Sequence, residues 1–184
     1  GVAGGRLGRP SEVDAAGLLK LKEAEALLRK ALAICTRDSD PDTWAMLQNG
    51  FGNILYALAW QVVGETMSYL AAAETAYRDT LLVITRKAHP GDWAVIQRNI
   101  GFTANAIATG LDGDAALQKL AEAEEAYRNA LTVFDFANAP LDCAWLHYYR
   151  ADALTELARH SGSRRQLADG ALAAFRLGDV VRHR

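Results

Sequence analysis

The chain has 184 residues, of which 51% are hydrophobic, and its 20 basic and 22 acidic side chains leave a formal net charge of −2. That length suits one substantial domain or one elongated array and excludes a long multidomain enzyme, while the near-neutral balance argues against nucleic-acid binding, which needs a contiguous basic surface. The 35 alanines and 24 leucines, against only 15 valines and isoleucines together, predict an all-α protein.

In chain order, residues 1–11 read as a flexible segment or the remnant of a preceding repeat, and position 1 is Gly, so the native protein is expected to continue upstream. The apolar periodicity then predicts seven helices, over 12–37, 43–63, 67–88, 92–110, 115–137, 142–160 and 165–180, followed by a tail over 181–184. Asp40-Pro41-Asp42, Pro90-Gly91-Asp92 and Pro140-Leu141-Asp142 supply helix starts, with a proline of fixed φ and an acid at the positive helix end. Gly64-Glu65, Asp112-Gly113-Asp114 and Ser161-Gly162-Ser163 supply turns. The charge-free run from Thr43 to Gly64 is long enough to cross a bilayer. Gln48, Asn49, Asn53 and Gln61 interrupt it, however, so it reads as a helix enclosed by protein, with no membrane role. No secretion signal opens the chain, which makes the cytoplasm the expected compartment.

A repeat of 49 to 50 residues organises these elements. Pro41, Trp44, Ala45, Gln48 and Gly52 recur as Pro90, Trp93, Ala94, Gln97 and Gly101, and more weakly as Pro140, Asp142, Ala144, His147 and Ala151. The alternate helices repeat as well: Leu21, Ala24, Leu28 and Leu32 match Leu70, Ala73, Tyr77 and Leu81, then Leu120, Ala123, Tyr127 and Leu131, with a decayed copy at Ala168, Ala171 and Phe175. Steps of three and four place each set on one helical face. Each unit is therefore a helix pair, and the pairs are expected to stack as antiparallel hairpins into a right-handed superhelix, an α-solenoid spanning 12–180.

Phe51-Gly52 with Ala73 and Tyr77, and Ile100-Gly101 with Ala123 and Tyr127, resemble the paired signatures of tetratricopeptide repeats. The period is longer than the usual 34, and Gln48 and Gln97 stand where that family commonly has Trp, so the chain is similar to a long-helix bacterial variant with a Trp-Ala-x-x-Gln signature. The resemblance implies an accessory role beside signalling, nucleotide-binding or caspase-like modules. It also implies a ligand groove on the first helices of each pair, here Asn49, Asn53 and Tyr56, then Arg98, Phe102 and Asn105, then Trp145, Tyr148, Asp152 and Glu156. That mixed polar and aromatic surface suits a protein or peptide partner. Asn49, Tyr148 and Asp152 replace the basic positions of a carboxylate clamp, which disfavours acidic chaperone tails. The acidic excess between 91 and 158 favours a partly basic partner.

The leading expectation is a protein–protein interaction scaffold. The alternative is a ligand-sensing regulatory module of a larger signalling protein, binding a peptide or small molecule. No enzyme is expected: His89, His147, His160 and His183 lack metal-ligand spacing, and neither a phosphate-binding loop nor a nucleophile elbow occurs, so no cofactor or metal is implied. Cys35 and Cys143 read as buried thiols. The first helix has no partner before it, which makes it the expected surface for any self-association.

Overall fold

The computed structural model describes residues 15–161. They form six α-helices and, among the described residues, no strand: α1 (Ala15–Ile34), α2 (Pro41–Ala59), α3 (Thr66–Thr80), α4 (Pro90–Ala108), α5 (Gly113–Ala130) and α6 (Pro140–Ser161). Six helices lie among the described residues where seven are expected in the chain; the segment expected to form the seventh, 165–180, lies outside the described residues, as do 1–11 and 181–184.

The helix starts follow from local chemistry. Pro41, Pro90 and Pro140 each open a helix, where a missing N–H costs nothing, and Asp42, Asp92 and Asp142 sit in the first turns. Asp40 caps α2, its carboxylate accepting from the Thr43 amide at 3.1 Å; this bond holds the carboxyl below its ordinary pKa. Gly113 opens α5 at φ +59, a backbone conformation that glycine adopts without strain.

Two helix ends fall well short of expectation, at Thr80 instead of 88 and at Ala130 instead of 137. The apolar pattern misleads there because it continues past the helices: Leu81 and Ile84, then Leu131, Val133 and Phe134, still pack against the core from the turns that follow.

Extensive helix contacts run between chain neighbours, with α2 on α3 and α4 on α5 the closest pairs. The reason is a ring laid on a glycine. A Cβ built on Gly52 would lie 2.6 Å from the Tyr77 ring, and one on Gly101 would lie 2.4 Å from the Tyr127 ring, so only glycine admits these side chains. Around them, Leu55, Ala73 and Tyr77 bury with Ile96, Ile100 and Ala126, while Ala94, Ala104, Ala123 and Tyr127 bury with Leu146 and Ala153. The repeated glutamines meet the next helix at equivalent places: Gln48 Nε2 donates to Asp79, and Gln97 accepts from Asn129, each at 3.5 Å.

Helices two apart touch through side chains. Lys119 on α5 donates to both carboxylate oxygens of Glu74 on α3 at 2.9 Å and to Glu122 at 2.8 Å, and Arg78 joins Glu74 to Glu122. Burial pushes the Glu74 carboxyl up, but the Lys119 and Arg78 contacts outweigh it and hold the pKa below the usual carboxylate value. No helix among the described residues is long and apolar enough to cross a membrane.

Candidate interaction surface

The even-numbered helices carry all ten residues of the expected groove, and the structure distributes them unevenly. On α2, Asn53 is exposed and its Oδ1 accepts from the Tyr77 hydroxyl at 2.9 Å and from Asn99 Nδ2 at 3.3 Å. Tyr56 is half-buried against Trp60, ring centroids 6.0 Å apart, and burial raises its hydroxyl pKa. Asn49 is half-buried, with an Oδ1 that has no hydrogen-bond partner among the described residues.

On α4 the three positions face α6. Arg98 Nη1 bonds the Asp142 carboxylate, Phe102 lies edge-on against Tyr149 with centroids 4.6 Å apart, and Asn105 bonds the Asp152 carboxylate. These side chains bridge neighbouring even helices, which makes Arg98 an engaged cation.

On α6 the equivalent face opens to solvent. Trp145 is 42% exposed and Tyr148 53%, their rings perpendicular at 6.1 Å. Tyr148 also stands edge-on to Tyr149 at 5.3 Å, and Tyr149 stacks on Tyr127 at 6.1 Å, so one aromatic cluster runs from the exposed rings down to a buried one. Asp152, one turn beyond Tyr148, is exposed; partial burial and the neighbouring Glu156 charge raise its pKa against the opposing pull of Arg159 and Asn105. Glu156 is itself paired with Arg159.

Two participants escape the sequence reading. Tyr149 and Asn99 occupy equivalent repeat positions 50 residues apart, immediately after Tyr148 and Arg98, so aligning that next column would have found both. A missing partner escapes it as well. Phe102 stands where Asn53 stands in the preceding unit, and the Tyr127 hydroxyl, which has Tyr77 as its equivalent, is buried with no acceptor among the described residues.

Among the described residues, no group of three or more His, Cys, Asp or Glu is placed to hold a metal ion. Cys143 is buried, with its thiol pKa raised by burial and by Asp135, and Cys35 is half-buried; both are free. Compared with known proteins, the chain matches no family model, no curated protein and no solved structure.

Proposed function

We propose that the helix pairs stack as tetratricopeptide-like hairpins in a right-handed superhelix, and that the protein is a non-enzymatic scaffold binding a segment of another protein. The hairpin reading is supported by the ring-on-glycine contact, present twice at equivalent places. The binding reading rests on one observation, the exposed strip of Trp145, Tyr148 and Asp152 along α6.

Two perpendicular rings beside a carboxylate held up in pKa form a surface for a cationic side chain. The ring faces attract a guanidinium or ammonium group, and a bound cation relieves the repulsion between Asp152 and Glu156. The partner is accordingly an extended or helical segment with at least one Arg or Lys next to an apolar residue. Arg98, Phe102 and Asn105 act behind this strip, setting the position of α6 through Asp142, Tyr149 and Asp152.

The test is a tryptophan-fluorescence titration with a library of short basic and acidic peptides. Basic peptides should bind, and Tyr148→Ala should weaken binding about tenfold, roughly 1.4 kcal/mol, without changing the melting temperature, while Asp152→Asn should weaken it by a similar factor. Equal affinity for basic and acidic peptides would refute the strip as the recognition surface.

A further inference from the structure

The chain contains two methionines, Met46 and Met67, and the fold sets them in different circumstances. Met46 on α2 is 66% exposed. Met67, the second residue of α3, is 38% exposed, and its thioether lies flat on Gly110 in the turn between α4 and α5. A Cβ built on Gly110 would stand 2.8 Å from Met67 Sδ, 3.5 Å from its Cε and 3.6 Å from its Cγ. Sulfur and backbone are therefore in direct contact, with no space between them for a further atom.

The contact joins two helix pairs. Met67 belongs to the pair α2 and α3, and Gly110 follows Ile107 of α4, which is buried together with Ala106, Ala59 and Leu70 from both pairs. Two turns further along α3 the same joint is fixed again, where Glu74 and Arg78 meet Lys119 and Glu122 of α5. Met67 thus anchors the start of α3, ahead of the charged cluster. The repeat shows that packing at this position does not require sulfur. Leu70 aligns with Leu120, so Met67 aligns with Leu117, a half-buried apolar side chain of similar size. What the methionine adds is a sulfur that a small solvent-borne oxidant can reach.

We propose that Met67 is an oxidation site whose conversion by a hydroperoxide loosens the joint between the two pairs. A sulfur lone pair attacks one peroxide oxygen and the O–O bond breaks. The departing oxygen takes up the proton of the transferred one and leaves as water or an alcohol, so sulfur loses two electrons and the peroxide gains two. The product is a polar sulfoxide. Its oxygen is poorly served above the turn. The Gly110 amide already donates to the Ile107 carbonyl at 3.0 Å, and the Leu111 amide to Ala108 at 3.2 Å, so neither is available to it. The oxidised side chain swings into solvent, Gly110 loses its cover, and α3 loses this hold on the following pair. The inference rests on the Met67 and Gly110 contact and stands independently of peptide binding on α6.

The full chain treated with hydrogen peroxide, and then with a thiol reductant, tests this. The reductant returns sulfenic acid or disulfide forms of Cys35 and Cys143 to thiols and leaves methionine sulfoxide in place. Peptide mass spectrometry should find one added oxygen on each methionine. The melting temperature of the native chain and of Met46→Leu should fall by about 2–4 °C, while Met67→Leu should keep its own value, and methionine sulfoxide reductase should restore the native one. Hydrogen exchange of the oxidised native chain should quicken at the start of α3 and in residues 109–112. A Met67 that stays unoxidised while Met46 is converted overturns the proposal. So does an equal fall in the Met67→Leu chain, or a fully oxidised Met67 with melting and exchange unchanged.

Discussion

Tyr77 and Tyr127 occupy the same place in successive units, yet their hydroxyls differ in a way that one neighbouring residue explains. Asn53 accepts from Tyr77, and Phe102 at the equivalent position cannot accept from Tyr127. Desolvation raises the pKa of both phenols, so both remain protonated donors across the physiological range. Removing the oxygen should therefore have opposite consequences. Tyr77→Phe loses a hydrogen bond and should lower stability by about 1 kcal/mol, whereas Tyr127→Phe removes a buried donor without a partner and should be neutral or stabilising by up to about 1 kcal/mol. Urea unfolding midpoints for the two variants provide the comparison, and equal losses would show that the Tyr127 hydroxyl has an acceptor. The glycine and aromatic residues of each pair were legible in the sequence, because a separation of 25 residues (Gly52 to Tyr77) recurs as 26 (Gly101 to Tyr127). The orphaned hydroxyl was not. It depends on the single exchange of Asn for Phe, which a search for recurring residues passes over.

At the scale of helices, α3 and α5 are held side by side by the Glu74, Arg78, Lys119 and Glu122 cluster, a brace between elements that share no hairpin. Its members are mostly enclosed, and Lys119 supplies the cation bonded to both oxygens of Glu74. Lys119→Met should cost about 1–3 kcal/mol at neutral pH by leaving the Glu74 charge under-compensated. The pH dependence follows from the sign of the Glu74 shift. Its folded pKa lies below the ordinary 4.5, so the brace contributes fully above that value and is lost as pH falls through the lowered folded pKa. Thermal melts of the native and Lys119→Met chains should differ at pH 7 and converge in strong acid. A gap that persists there would mean that Lys119 acts through packing alone. The element pattern itself was readable, since proline, acid and apolar stripe coincide at three helix starts. The ends of α3 and α5 were not, because Leu81, Ile84, Leu131 and Phe134 continue the apolar spacing while the backbone has already turned. The groove positions on α4 show a similar limit: sequence spacing places Arg98, Phe102 and Asn105 on one face, and only the neighbouring helix shows that Asp142, Tyr149 and Asp152 meet them.

Across the whole molecule, burial rises from the first helix to the middle. No residue of α1 is buried, whereas ten of the nineteen in α4 are. Local opening should follow the same gradient, so in dilute solution the amides of α1 should exchange with solvent much faster than those of α4 and α5. Hydrogen exchange by mass spectrometry resolves this, and uniform protection would indicate one all-or-none unit. The restriction of extensive helix contacts to chain neighbours has a further consequence for how the protein is made. Segments that must meet are close along the chain, so little loop-closure entropy opposes their meeting and folding should be fast. Each pair of neighbouring helices can collapse as soon as it leaves the ribosome, before the next has been synthesised. Duplication or loss of a complete fifty-residue unit would likewise leave every surviving helix beside a neighbour of the type it already accommodates, so chain length is free to vary while the rules of assembly stay the same.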